Sequence, residues 1–412
     1  MAASDAHGAA AAKAVAEAFQ LSALPDDFYD DPYPYFAALT AHDPVRVLAD
    51  GSLILTGYAN VVEMYRNPVA SSDKKVEFRP KFGDSPLYEH HTTSMVFSDP
   101  PLHTRLRRLV MGAVNQRAIA RMEASVVSLV DRLLDAMAAR REVDLIDDFA
   151  GLIPVEVIGN LLNVPHADRG PLRAWSLATL AALEPVPTPE MLERGNRAVV
   201  EFKAYLRDLV AHRRAHPLDP DEDVMTRLIG GEADGEKLTE EELVQNCIFL
   251  LNAGHETTTN LIGNGLELLI RHPQQTRRLR EDPSLVPAAV EEMLRFESPI
   301  QLNNRRLLQA SDVGGRTFPA GTLVNISIGA ANRDPAQFPD PHVFDVARKP
   351  NRHVAFGQGD HACVGMNVAR LEGRIAIGRL LRRFPTLEAR GAPERDRRVR
   401  FRGFRRLPAT VR

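Results

Sequence analysis

The sequence predicts a mainly α protein with a minor β portion, and three observations carry that prediction. Apolar residues recur at three- and four-residue spacing through most of residues 100–300, one of the resulting helices is unusually long, and only two short regions read as strands. A length of 412 residues allows two or three domains, or one large fold. No internal repeat and no long linker marks a boundary. The expectation is therefore one domain over residues 26–412 behind a flexible tail, residues 1–25.

The elements follow in chain order. "MAASDAHGAAAAKAVAEAF" is Ala-rich but lacks a basic start, and Lys13 interrupts its apolar run. It reads as a loose or helical tail, neither signal peptide nor membrane anchor. "VRVLADGSLILT", residues 45–56, sets two β-rich runs around Asp50-Gly51, a hairpin signal. "VNQRAIARMEASVVSLVDRLLDAMAARREV" has the spacing of an amphipathic helix. "VEVIGNLLNV", "RAWSLATLAAL" and "RAVVEFKAYLRDLVAHRRA" are further helices between Pro and Gly breaks.

The long helix, "LTEEELVQNCIFLLNAGHETTTNLIGNGLELLIRHP", runs from about 239 to 271 before Pro273 stops it. Thr239 and Glu242 make a capping box at its start. Roughly thirty residues at about 1.5 Å each span about 45 Å. Apolar residues surround nearly the whole circumference, which predicts a central, buried helix. Gly254, Gly263, Gly265 and the run Thr257, Thr258, Thr259 all cost helix stability, and that cost asks for a reason. Later, "DVGGRTFPAGTLVNISI" at 312–328 reads as short strands and turns. The charge run "ERDRRVRFRGFRR" at 394–406 reads as a solvated basic tail with strand-like alternation.

Composition narrows the function. A formal net charge of −3 supplies no global basic field, so no nucleic-acid partner is expected. Two cysteines cannot build a disulfide framework, which fits a reducing, cytoplasmic setting with no membrane association.

One of those cysteines sits in "AFGQGDHACVG", residues 355–365. A zinc site wants further Cys or His ligands at ligand spacing; His361 is too near and Cys247 lies in the long helix. A nucleophile wants a base and an oxyanion hole, and the neighbourhood offers little of either. What it offers is backbone freedom: Gly357 and Gly359 permit left-handed turns and a close approach of the main chain to something flat or bulky. The apolar-periodic stretch after Cys363 starts a helix, so the thiol lies near a helix N-terminus, where a thiolate is favoured. Gly365 leaves the first turn of that helix bare. A thiolate on a Gly-flanked loop against a flat partner is what an axial haem ligand requires.

"HVAFGQGDHACVG" strongly resembles the haem-binding signature of the cytochrome P450 superfamily, F-x-x-G-x-x-x-C-x-G, with Phe356, Gly359, Cys363 and Gly365 in register. The resemblance spans residues of about 30 to 400 and implies the P450 fold of the soluble bacterial type, with haem between the long central helix and the cysteine loop. It implies haem b bound through the Cys363 thiolate, with Phe356, Gly357 and Gly365 packed about the cofactor. "AGHETT" in the long helix is similar to the family's oxygen-activation segment. Ala253 and Gly254 would leave room for dioxygen by letting the helix kink or widen. Thr257 would hydrogen-bond dioxygen or an ordered water, and Glu256 would relay protons.

Other motifs take roles from the same resemblance. Glu292 and Arg295 in "EEMLR" resemble the family's E-x-x-R pair, which with Arg348 in "FDVAR" would hold the cysteine loop in place. His103 and Arg107 in "DPPLHTRLRRLV", four apart on one helix face, would bind haem propionates together with His361 and an arginine of "NNRR". Arg305 is favoured there over Arg306. "ANRDPAQFPDPHVFDVARKPNRH", 331–353, is similar to the meander that leads into the cysteine loop.

The implied reaction is insertion of one oxygen atom of O2 into a small to medium, largely apolar organic substrate. No flavin or iron–sulfur segment is present, so electrons from NAD(P)H are expected through separate proteins, a ferredoxin and a ferredoxin reductase. Arg105, Arg108 and Arg352 are candidate docking residues for them. Phe249, Asn252, Ile300, Gln301 and Leu302 are candidate substrate contacts, with Phe78, Phe82 and Phe97 as aromatic walls. Two other readings remain open: a peroxide-driven haem-thiolate peroxygenase, which usually lacks the acid–threonine pair, and a non-catalytic haem-thiolate binding or sensor protein, which would not need that pair.

Overall fold

The computed structural model describes residues 2–113, 115–233 and 236–412. Leu53, Ile54 and Leu55 are all fully buried because their strand is flanked on both sides, the situation that favours a continuous apolar run. Leu53–Leu55 pairs antiparallel with Val45–Val47 across the Asp50-Gly51 turn and parallel with Leu323–Ser327. Leu302–Leu307 and Ala70–Ser71 complete a five-stranded sheet. A second sheet joins Leu387–Ala389, Pro408–Val411 and Glu142–Asp144.

Contacts divide the chain into two compact units. The first comprises the chain up to Ser71, Asn264–Cys363 and Pro393–Arg406. It holds the five-stranded sheet, with apolar clusters around Leu53, Val324 and Ile326 and around Phe28, Phe36 and Leu39. The second comprises Ser72–Gly263, Val364–Ala392 and Leu407–Arg412, and packs helices around Phe202, Leu206, Cys247 and Ile248. Each unit is assembled from three distant segments, so neither announces a linker in the sequence.

Two sequence expectations change. The helix Ala2–Ala18 occupies most of the supposed tail, and Ala16 and Phe19 are buried in the first unit. Phe19 packs 6.0 Å from the Phe28 ring, which packs 5.7 Å from Phe36. Ala16 and Phe19 therefore join the core of the first unit, whereas residues 9–15 are mostly exposed; residue 1 lies outside the described residues. The basic run is not a solvated tail either. Arg402 and Arg395 converge with Arg333 on the buried carboxylate of Glu297, which also accepts from the Tyr33 hydroxyl at 3.2 Å. Burial alone would push the Glu297 carboxyl up; Arg402, Arg395 and Arg333 outweigh it and hold it at about 2.

The long helix is Glu240–Arg271 and runs unbroken. Its capping box forms as the sequence predicts: the Thr239 amide donates to Glu242 at 2.9 Å, and the Glu242 amide donates to Thr239 Oγ1 at 3.2 Å. Two of its glycines are packing positions. A β-carbon at Gly254 would stand 3.2 Å from Ile158 Cδ1, and one at Gly263 only 2.7 Å from Ile146 Cδ1. No helix among the described residues is long and apolar enough to cross a membrane.

Candidate functional site

The cysteine loop is shaped by its own main chain. The Cys363 amide donates to Phe356 O at 2.9 Å and the Ala362 amide to Gly359 O at 3.0 Å, folding Ala355–Cys363 back on itself. Gly357 and Gly359 take φ of +64° and +70°, the left-handed region that only glycine enters freely. No residue from 355 to 366 is buried, unlike most of the chain around it. Cys363 is half-exposed, three residues ahead of the helix Met366–Arg383, with Gly365 at that helix's N-cap. Cys247 contrasts with it: burial pushes its thiol up to about 12, and it behaves as a small core hydrophobe.

Among the described residues no three His, Cys, Asp or Glu converge on one point. Cys363 can therefore supply a single protein ligand, which suits a metal already held by a macrocycle and not a protein-coordinated zinc.

A buried ionic network fixes the approach to this loop. Arg295 Nε and Nη2 donate to the Glu292 carboxylate at 2.7 and 2.8 Å, and Arg348 Nε joins it at 3.1 Å. Neither Glu292 nor Arg295 has any side-chain exposure. Arg295 Nη1 also donates to Asn332 O at 2.9 Å, and Asn332 Oδ1 accepts from the Val354 amide at 2.7 Å. The E-x-x-R pair thus reaches the first residues of the loop through Asn332.

Sequence reasoning missed Asn332, and it missed Tyr65. Tyr65 O stands 2.6 Å from where a Gly359 β-carbon would lie, its ring borders Gly357, and the Arg305 guanidinium sits 5.5 Å over that ring. Nothing in its "MYRNP" context signals this; only the fold brings the Tyr58–Arg66 helix to the loop. Arg305 is buried, whereas Arg306 is half-exposed and donates to Gly321 O.

The second unit holds the acid–threonine segment. From Leu243 to Leu266 every residue of the long helix is buried except Phe249, Ala253, Gly254 and Thr257. Phe249, Ala253 and Thr257 are spaced i, i+4, i+8 and form one accessible stripe on a buried helix. Thr257 Oγ1 donates to Ala253 O at 2.8 Å, which leaves its lone pairs to accept from a further donor. Glu256 is buried on the neighbouring face. His103 is buried and Arg107 half-buried on the helix Leu102–Ala113, four residues apart. His361 is half-buried in the turn Gly359–His361 of the first unit.

Several residues are used otherwise than the sequence suggested. Asn252 is buried off the accessible stripe. Gln301 Nε2 donates to Ser298 O at 2.7 Å, and Leu302 packs into the cluster around Leu39 and Ile54. Both belong to the interior of the first unit because the strand begins there. Ile300 forms a bridge to Phe401 and packs beside the sheet cluster. Phe78, Phe82 and Phe97 pack chiefly on one another and on His91, at ring separations of 5.0 to 5.6 Å. Arg105 is tied to Glu242 in an ion pair, so it is no free docking charge; Arg108 and Arg352 are exposed.

Comparison with known proteins gives a consistent picture. The sequence profile of the family "Cytochrome P450" matches residues 176–404. Cytochrome P450 107B1 of Saccharopolyspora erythraea is 39% identical, covering 94% of this chain and 97% of that protein. The vitamin D(3) 25-hydroxylase of Pseudonocardia autotrophica is 40% identical, with 93% and 94% covered. Among solved structures, P450BioI in complex with an acyl carrier protein ligated by hexadec-9Z-enoic acid superposes with a TM-score of 0.89 at 35% identity, covering 94% of this chain and 100% of that one.

Proposed function

The chain belongs to the cytochrome P450 family and is a haem-thiolate monooxygenase, and on that premise we propose that it oxidises a small to medium, largely apolar molecule with electrons delivered by a ferredoxin and its NAD(P)H-dependent reductase. The observation that carries this reading is the accessible stripe Phe249–Ala253–Thr257 on an otherwise buried helix. Its apolar members suit an apolar substrate, and its one hydroxyl lies beside a buried acid.

Haem, when bound, supplies the electron transfer and dioxygen activation that no side chain can. Cys363 would hold its iron through sulfur, since a helix N-terminus such as the one that follows it favours a thiolate. His103, Arg107, Arg305 and His361 are assigned to the propionates as cationic or hydrogen-bonding partners. Phe356, Gly357 and Gly365 are assigned to pack about the cofactor, and Ala253 and Gly254 to keep the helix surface low beside it. Thr257, its own proton engaged on Ala253 O, is placed to accept a hydrogen bond and hold a water in line. Glu256 is assigned to pass protons to that water.

The pair Glu256–Thr257 supports the monooxygenase route over a peroxide-driven one. Substrate identity is narrowed only to class: the relatives carry names as different as a vitamin D(3) hydroxylase and a 6-deoxyerythronolide B hydroxylase. Two measurements test the reading. The reduced, CO-bound protein should show a thiolate-type Soret band, and product should form from NAD(P)H and O2 with a surrogate ferredoxin system. A protein that oxidises substrate only with peroxide would overturn the electron-supply assignment.

A further inference from the structure

The long helix carries buried polar side chains that the accessible stripe does not explain. Asn252 and His255 are each 2% exposed, yet the side-chain oxygen and nitrogen of Asn252 lack a hydrogen-bond partner among the described residues, and the His255 ring has no well-aligned one, only the Gly151 main chain beside it. Leaving such a group dry is costly. Several such atoms within one helical turn would burden a domain of ordinary stability. Buried polar atoms of this kind are normally satisfied by ordered water, which needs two to four polar partners at one place.

Helix geometry puts these groups in sequence around the surface. At about 100° per residue, Asn252 lies about 60° from His255 and about 40° from Glu256, so it stands between them. The Ser176 hydroxyl reaches Asn252 O at 3.5 Å and adds a fourth buried polar group, only 1% exposed. The Gly151 main chain lies beside the His255 ring, and the Arg173 guanidinium is near enough to disfavour a charged imidazole. Gly151 is what allows this: a β-carbon there would stand 3.3 Å from Arg173 Cζ and 3.0 Å from Ile146 O. Arg173 is one-third exposed and pairs at 2.9 Å with Asp147, which is more than half exposed. A run of polar groups therefore leads from a surface ion pair to the helix face that carries Glu256, all within the second unit.

We propose that His255 and Asn252 hold a buried water chain that carries protons from the Asp147–Arg173 surface to Glu256. Each water accepts one proton and releases another, so no charge is left inside and Glu256 is reloaded from bulk solvent. Burial, reinforced by Arg173, pushes the imidazole down to about 4, so it serves as a neutral donor and acceptor to water and need not change charge. His255 and Asn252 are positioning residues: they hold water and do not touch substrate. The use of the chain rests on the monooxygenase reading; the water site does not.

The test has two arms. A high-resolution crystal structure of the haem-loaded protein should show ordered water within hydrogen-bonding distance of both Asn252 and His255; a dry contact between them overturns the proposal. In turnover, Asn252→Leu and His255→Leu should raise peroxide released per O2 consumed and cut coupled product at least about tenfold, short of the ~10²-fold typical of removing a proton donor outright. His255→Gln, which can still bind water, should restore coupling. The CO-bound spectrum should not change in any of the three. Leucine variants that lose the water yet couple as well as the parent overturn the relay. If the parent binds haem through Cys363 but consumes no O2, the monooxygenase reading has failed, and the crystallographic arm still decides the water site.

Discussion

The main-chain oxygen of Tyr65 stands 2.6 Å from the position a β-carbon would take at Gly359, whereas the atom nearest to the corresponding position at Gly357 is 3.8 Å away. Both glycines have left-handed φ, +70° and +64°, so an alanine at either adds backbone strain of about 1–2 kcal/mol. Only at Gly359 must main chain also move. Gly359→Ala should therefore shift the cysteine loop and reduce the fraction of CO-bound protein with a thiolate-type spectrum. Gly357→Ala should lower the urea midpoint modestly and keep that spectrum. Equal spectral loss in both variants would show that conformation alone, and not the Tyr65 contact, requires glycine.

Thr257 presents an acceptor, because its proton is engaged on Ala253 O at 2.8 Å. Thr257→Ala should therefore divert reducing equivalents to peroxide. Thermal stability should barely change, since a hydroxyl bonded back to its own helix contributes little or slightly bends it. Thr257→Ser keeps both lone pairs and should keep most of the coupling. The ratio of product to NAD(P)H oxidised, measured for the two variants beside the parent, decides this. Unchanged coupling in Thr257→Ala would remove Thr257 from the reaction.

Much of this was legible in the sequence because it is local. The capping box at Thr239 and Glu242, the hairpin at Asp50-Gly51 and the glycines of the cysteine loop depend on residues a few positions apart, and the structure holds them as spacing predicts. The Glu292–Arg295 pair was visible for the same reason, its third member Arg348 by resemblance. Partners distant in sequence were not legible. Tyr65 meets Gly359 only because a helix from the first seventy residues packs on the loop, and Arg395 and Arg402 find their partner in Glu297, about a hundred residues away in sequence. Asn252 and Phe249 both read as candidate substrate contacts, yet the helix sets one inside and the other on the accessible stripe.

The Glu292 carboxylate accepts from Arg295, Arg348, the Asn351 amide and the Asp345 main chain. Glu292→Gln would remove the one negative charge that faces two guanidiniums, one wholly buried. Breaking a buried pair from one side typically costs about 3–5 kcal/mol. Urea unfolding should register a loss of that order. Because Arg295 reaches Val354 through Asn332, retention of haem on gel filtration should fall as well. A loss of stability with haem retention intact would confine the network to folding.

Acid should destabilise the protein in two stages. Burial pushes His90 down to about 4, with only partial relief from the Gln245 side chain at 2.7 Å, and His255 is held at about 4 in the same way. Their ordinary value is 6.5, so between pH 6.5 and 4 the unfolded chain binds more protons than the folded one. Stability is then complete above that window and falls as pH drops through it, by up to ~1.4 kcal/mol per pH unit for each histidine. Glu297 acts lower down. Its folded value of about 2 lies under the ordinary 4.5, so its contribution is present above 4.5 and is lost as pH falls toward 2. Unfolding free energies measured from pH 8 to 4.5 should be flat and then decline below about 6.5. His90→Gln should reduce the slope of the decline and leave the plateau between pH 7 and 8 level. A parent curve that stays flat down to pH 4.5 would mean that the folded protein does not hold these histidines neutral.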